Sequence, residues 1–281
     1  MELPKGALEH SALVVAHPDD EVLWFGSILE RVDRIIICYI EASHRPELNE
    51  ARRKSIAEHQ LRDRIDVLDL AQVKSHNKCS WPEPEETSYG VRLDRYRGFD
   101  EPYRKQAQRL EEALAPVIRG FRNVYTHNPW GEYGHEDHIQ LSRIVTRLAT
   151  SSGARVWYNS YVSNKSSLLM RRYVQGFGQP YYTLPVDTTK AREFADTYYR
   201  NGAWTWMEDY AWFNSESFVE GPLVAESQPC KGALFPLNFI RVPFEPIAAG
   251  ASKSSLAGRL RRKLGSVVRI SRHRETNPAT R

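Results

Sequence analysis

His17, Asp19, Asp20 and Glu21 place one imidazole and three carboxylates within five residues. They directly follow the apolar run Ser11–Val15, which reads as a buried strand. Carboxylates this close repel one another unless a cation holds them. Zinc is suited to the task, because it accepts both imidazole nitrogen and carboxylate oxygen. A plainer reading makes the stretch a polar loop in which Asp19 or Asp20 caps a helix starting near Glu21.

A second cluster bears on that choice. Residues 128–138 read Asn-Pro-Trp-Gly-Glu-Tyr-Gly-His-Glu-Asp-His and follow another candidate strand at 123–126. His135 and His138 are three apart, so a helix beginning near Glu136 carries both imidazoles at its mouth. Three protein ligands and an open water position are the usual catalytic zinc arrangement. His17, Asp20 and one of the later histidines supply that number. Either cluster alone could be a solvated helix start. Two of them, each at the end of a strand, favour a shared metal.

These residues carry a resemblance. The chain resembles the PIG-L (LmbE-like) family of zinc-dependent N-acetylglucosamine deacetylases. The family's Ala-His-Pro-Asp-Asp-Glu block is matched at every position from Ala16 to Glu21. Its Tyr-Gly-His-x-Asp-His stretch is matched by Tyr133, Gly134, His135, Asp137 and His138. Where the family often has Pro, this chain has Glu136. The resemblance covers about the first 160 residues and no motif is recognised beyond them.

The resemblance implies a role for each matched residue. His17, Asp20 and His138 would bind one Zn2+, with other divalent metals also acceptable to this donor set. Asp19 would be the general base. His135 would be the acid or cation that assists the leaving amine, with Asp137 orienting it and raising its basicity. Tyr133 would point its hydroxyl at the amide oxygen. The implied reaction is removal of an acetyl group from an N-acetylated, GlcNAc-type sugar conjugate in a glycan, glycolipid or glycoconjugate pathway. Two other readings stay open: an amidase for a longer N-acyl group or a thiol-sugar conjugate, and a glycan-binding relative without turnover.

That chemistry needs such residues. An amide is a poor electrophile, and its amine leaves only once protonated. A bound metal lowers the pKa of water towards about 7 and polarises the carbonyl. A carboxylate beside the water completes its deprotonation. Successive side chains of an extended segment point opposite ways, which would let Asp20 face the metal and Asp19 the water. Glu21 reads as a supporting carboxylate or as a helix N-terminal charge.

The surrounding pattern is one of strands alternating with helices. Strands are expected at 12–16, 34–40, 65–70, 123–126 and 155–161. Helices are expected at 21–31, 46–60, 101–114, 136–149 and 188–200. This predicts an α/β fold: a Rossmann-like, doubly wound, mostly parallel sheet with helices on both faces, plus a C-terminal aromatic-rich extension. Ligands of such sheets bind beyond the C-terminal ends of the strands, where both clusters fall. No Gly-x-Gly-x-x-Gly follows the first strand, so a dinucleotide site lacks its signature.

Residues 74–100 read as an irregular insertion in a single domain spanning 1–250. Trp81, Tyr89, Tyr96, Phe99 and Tyr103 could present aromatic faces to a sugar. His44, Trp81 and Trp130 are the candidate substrate contacts. His127 reads as a supporting or packed residue, His76 as an exposed one, and Arg52 and Arg53 as solvated or paired. The aromatic segment 201–213 is either a core or lid segment on the sheet or a platform for a glycan or aryl group.

Composition bounds the rest. A content of 41% hydrophobic and 26% charged residues is ordinary for a globular protein. No stretch approaches the roughly 18 apolar residues of a membrane span. The N-terminus shows no basic region ahead of an apolar one, and the three cysteines show no metal spacing, so a reducing cytoplasm is expected. Residues 251–281 hold nine Lys or Arg against Glu275, a net +8, which leaves −4 for residues 1–250 out of the overall +4. Leu256, Leu260, Leu264, Val267 and Val268 recur at helical spacing, so this basic tail is either an amphipathic helix or disordered. A peripheral contact with an anionic membrane is one expectation for it. Nucleic acid is not expected, since no recognition motif accompanies the charge.

Overall fold

Strand β1 (Ser11–Val15) is buried at every position and lies parallel to two neighbours, β2 (Arg34–Ala42) and β6 (Asn123–Thr126). A strand flanked on both sides and covered on both faces is mostly apolar, which explains Ala-Leu-Val-Val; Ser11 at its start donates its hydroxyl to the Leu8 carbonyl. In the computed structural model, which describes residues 1–42, 45–174, 180–226 and 237–244, β3 (Ile65–Gln72) adds outside β2 and β7 (Arg155–Asn159) outside β6, both parallel. The sheet is completed by two antiparallel strands, β10 (Ser215–Glu220) against β7 and β9 (Tyr182–Pro185) against β10. The seven-stranded order is β3-β2-β1-β6-β7-β10-β9. The expected α/β class and mostly parallel sheet are present, with an antiparallel edge.

Alternation along β1 splits the core in two. Leu13 and Val15 join Ile35, Ile37, Trp24, Phe194 and Tyr198 in one cluster. Ala12 and Val14 join Ile36, Leu110, Leu141 and Ile144 in another. Helices α1 (Asp20–Trp24) and α6 (Thr188–Asn201) therefore pack in the first cluster, and α3 (Asp100–Ile118) and α4 (Glu136–Ser152) in the second. α2 (Pro46–Ala57) follows β2, and α5 (Ser167–Tyr173) follows β8 (Tyr161–Ser163).

Three sequence expectations change. The helix expected at 21–31 stops after five residues at Trp24. The backbone N–H groups of Gly26 and Ser27 donate to the buried Glu216 carboxylate, at 3.1 and 2.9 Å, so a residue 190 positions away takes the bonds that helix continuation would use. The strand expected at 155–161 breaks at Ser160, and β8 pairs instead with β11 (Asn238–Ile240). The insertion 74–100 contains a small hairpin, β4 (Glu86–Thr87) with β5 (Gly90–Val91). Residues 251–281, and with them the amphipathic or membrane-contacting tail, lie outside the described residues. Among the described residues no helix is long and apolar enough to cross a membrane.

Candidate metal centre and amide site

The first cluster sits where β1 ends beside β6, with Val14 level with Thr126. Asp19 occupies the left-handed region at φ +96°, a strained conformation of a kind that collects at functional sites. This turn, and not the alternation of an extended strand, sends Asp19 and Asp20 in different directions. Asp19 stands at the N-cap position of α1, yet its side chain caps nothing. Its Oδ2 instead accepts from Thr205, from the backbone N–H at 3.0 Å and the hydroxyl at 2.7 Å. Asp20 opens α1. Trp24 Nε1 holds its Oδ1 at 3.1 Å, which leaves Oδ2 towards three imidazoles.

The second cluster comes from the turn between β6 and α4. Gly131 has φ +67°, and a Cβ there would lie 2.6 Å from the His135 carbonyl oxygen, so only glycine fits. The next residue, Glu132, is fully buried. Its Oε1 accepts from the Asn128 N–H at 3.1 Å and from Asn159 Nδ2 at 2.7 Å. Its Oε2 lies 2.7 Å from His138 Nδ1 and 3.1 Å from His127 Nδ1.

These contacts fix the protonation pattern of the site. His138 Nδ1 has a carboxylate partner and so carries the ring hydrogen. Its Nε2 is then a bare lone pair, 3.3 Å from Asp20 Oδ2 and buried without a hydrogen-bond donor. His17 is arranged alike: Nε2 lies 3.3 Å from Asp137 Oδ2, and Nδ1 lies 3.2 Å from Asp20 Oδ2. Two nitrogen lone pairs thus converge on one carboxylate oxygen. A divalent ion would satisfy such a group, and its nitrogen and oxygen donors are those zinc takes. His17, Asp20 and His138 each offer one atom, all within 4.8 Å of one another.

Other carboxylate–histidine sets lie nearby, but their hydrogen bonds are already committed. His127 Nε2 accepts from the Ala16 N–H at 3.0 Å, so that ring braces β1. His135 Nδ1 accepts from the Asp137 N–H at 3.1 Å, so a neutral His135 carries its hydrogen on Nε2 and presents a donor. The Asp137 carboxylate hydrogen-bonds His17 and not His135, contrary to expectation, although its oxygen lies within 4.8 Å of a His135 nitrogen. It faces His17 and is held by Ser75 Oγ at 2.8 Å and Gln106 Nε2 at 3.0 Å. A single residue thus serves two imidazoles, one through its side chain and one through its amide.

Electrostatics follow the same lines. Burial works against charge on Asp20, but imidazole hydrogens of His138, His127 and His17 facing it in place of a cation would outweigh burial and hold its carboxyl well below the usual range. Glu132, beside His127 and His138, is brought down to about 2. Burial and the adjacent Asp20 push Asp19 up to about 7. Burial drives His135 well below the usual imidazole range, with His76, His138 and His17 adding to the effect. The same cause keeps the Tyr133 phenol protonated.

A cavity of about 280 Å³ opens onto these groups. His17, Asp19, Asp20, Tyr133 and His135 line it, together with Arg45, Arg52 and Gln72. Tyr133 packs against His138 and His135, with ring centres 5.4 and 5.6 Å away. Trp81 and Trp130, expected as substrate contacts, do not line this cavity: both are in the core, donating to Glu136 Oε1 and to the Tyr161 carbonyl. Of the insertion's aromatics, Tyr103 is fully buried, and Tyr89, Tyr96 and Phe99 do not line the cavity. His44 lies outside the described residues. His76, read as merely exposed, lines the wall. Arg52 is buried rather than solvated; it donates to the Ile40 carbonyl and to Gln72, and its Nε has no partner. Thr205 and Trp206, from the aromatic segment, complete the site. A basic residue in the first helix after β2 was the one available hint of Arg52. Nothing local marked Thr205.

The model of the PIG-L family, described as GlcNAc-PI de-N-acetylase, matches residues 12–149. The chain carries a PIG-L family domain. That PIG-L domain spans both clusters and the strands that present them, β1 to β6. Similar solved structures include a deacetylase–bog complex from teicoplanin biosynthesis, 14% identical with a TM-score of 0.49, covering 77% of this chain and 99% of its own. The corresponding deacetylase–teicoplanin complex is 13% identical with a TM-score of 0.46, covering 75% and 99%. The zinc-inhibited form of teicoplanin deacetylase Orf2 is 14% identical with a TM-score of 0.45, covering 77% and 99%. No curated protein matches the chain.

Proposed function

We propose that the protein is a zinc-dependent hydrolase that removes the acetyl group from an N-acetylated, GlcNAc-type sugar conjugate. The observation that carries this reading is the pair of imidazoles, His17 and His138, each backed by a buried carboxylate and each turning its remaining nitrogen towards Asp20. A divalent ion bound by His17, Asp20 and His138 would supply a Lewis acid and acidify a water molecule.

The protein's own groups handle the proton and orient the amide. Asp19, fixed by Thr205 at the cavity wall, receives the proton of the attacking water. That proton is the one the departing amine needs, so one carboxylate serves both halves of the reaction. Neutral His135 has a hydrogen on Nε2 to offer the amide, and Tyr133 has its phenol hydrogen. His135 is therefore assigned as a hydrogen-bond donor and not as a stored imidazolium. Arg52, Arg45 and Gln72 offer donors suited to sugar hydroxyls. The family name, de-N-acetylase of a GlcNAc conjugate, supports the acetylated sugar as substrate.

The test is acetate release from N-acetylglucosamine conjugates by protein stripped with a chelator and by the same protein reloaded with zinc. Activity only after reloading is expected. Equal rates in the stripped protein would refute the assignment.

A further inference from the structure

Beyond Tyr133 and Trp206 lies a second cavity of about 200 Å³. Three residues, His76, Tyr133 and Trp206, line both cavities, so the two are neighbours across one layer of side chains. Trp206 stands 4.6 Å from the Tyr133 ring and 5.2 Å from Trp24, measured between centres. The remaining walls are Met207, Val242 and Pro243, with Asn77 and Lys165. Lys165 is the one formal cation there and is already engaged. Its Nζ donates to Asn77 Oδ1 at 2.6 Å and to the Gly134 carbonyl at 2.5 Å, and it sits 4.8 Å over the Trp81 ring. The chamber thus offers aromatic and aliphatic surface with no unspent charge among its lining residues.

The site therefore has two unlike ends. Arg45, Arg52 and Gln72 close the first cavity with polar groups, and the second opens onto apolar walls. Tyr133, the phenol that faces the amide, belongs to the wall the two cavities share. An acetyl methyl is far too small to reach from one to the other.

We propose that the second chamber is a subsite for an alkyl or aryl group of the substrate, so that the natural substrate is an N-acylated sugar bearing an apolar substituent several carbons long. This rests on the reading of the first cavity as an amide-hydrolysing site. The bond broken is still the amide C–N bond, with water as co-reactant, giving a carboxylate and an amine. The substituent is either a longer acyl chain or an apolar aglycone; both present the same chemistry to Trp206, Met207 and Val242.

Two substrate series separate these sources in the zinc-loaded protein. One is N-acylglucosamines with chains of increasing length. The other is alkyl glycosides of N-acetylglucosamine with matching chains. A rise in kcat/KM of about fourfold per methylene, the equivalent of about 0.8 kcal/mol each, is expected in one series until the chamber is full. A rise in the first series assigns the acyl chain; a rise in the second assigns the aglycone. Val242→Trp and, at the exposed mouth, Met207→Trp fill the chamber. Each should bring the ratio of long-chain to acetyl turnover, measured within the same protein, back towards one. Acetyl hydrolysis with no gain in either series overturns the inference and leaves the deacetylase reading standing. A gain that survives both fillings overturns it too. No hydrolysis of any member refutes both readings.

Discussion

Asp19 and Asp20 are adjacent carboxylates with opposite environments. One is bound by a hydroxyl and an amide of residue 205; the other is surrounded by imidazoles. Replacing Asp19 by Asn keeps the shape and removes the proton acceptor. Turnover of an N-acetylated sugar should fall by about 100-fold or more while bound zinc, measured by elemental analysis, stays at the wild-type level. In the proposed site Glu132 would act on the metal through His138. In Glu132→Gln an amide N–H can face His138 Nδ1, which favours the opposite tautomer and places a hydrogen on the liganding nitrogen. Zinc affinity should drop about 10- to 100-fold in a competition titration with a chromophoric chelator. Glu132→Asp should recover part of it. A Glu132→Gln protein with unchanged affinity would separate this carboxylate from the metal.

The elements around the site are held by buried acceptors whose donors come from far away in sequence. Glu136 opens α4 and takes N–H groups from Asn77, Lys78 and Cys79 and from the Trp81 indole. One carboxylate thus fastens the insertion to the start of the helix that carries His138. Glu136→Ala leaves four donors without a partner, two of them buried, a cost of about 2 kcal/mol or more. Urea unfolding should show that loss, and amide exchange should quicken at residues 77–81. His59 follows α2 and stacks on Phe194 of α6, ring centres 5.5 Å apart and 7° from parallel. Burial brings its pKa down from 6.5 to about 4. As pH falls through that window the unfolded chain takes up a proton that the folded chain refuses, so stability declines from about pH 6.5 to about pH 4. His59→Asn removes that proton. Its unfolding free energy should fall less steeply with acid than the wild type's, when midpoints are compared at pH 7, 5.5 and 4.5.

At the scale of the molecule, the proposed metal would link folding to function. The three proposed ligands come from the turn into α1 and from α4, more than 100 residues apart. An ion bound only by the folded state stabilises it by mass action, about 2.7 kcal/mol at a free concentration 100 times its dissociation constant. Thermal unfolding should therefore shift upward on adding zinc and back on adding chelator. His17→Ala should show no such shift. A zinc-induced rise of equal size in that variant would place the ion elsewhere.

Much of this was legible in the chain. Ala12–Val15 is apolar at every position, so a strand covered on both faces was readable, and with it a parallel sheet. Ala16–Glu21 and Tyr133–His138 each fall just after such a strand, which put their side chains at one edge before any coordinates. What escaped local reading was set by long-range contacts. Helix α1 is short because Glu216 captures its continuation. Asp137 serves His17 because Ser75 and Gln106 pull its carboxylate that way. Trp81 and Trp130 are walls of the core because Glu136 and the Tyr161 carbonyl receive their indole hydrogens. Arg52, Thr205 and Trp206 enter the site from segments whose local patterns are those of a surface helix and an aromatic loop. Periodicity and spacing report what one segment does by itself. A hydrogen bond's partner, and therefore which nitrogen of a histidine is left free for a metal, is decided by segments that meet only when the sheet closes.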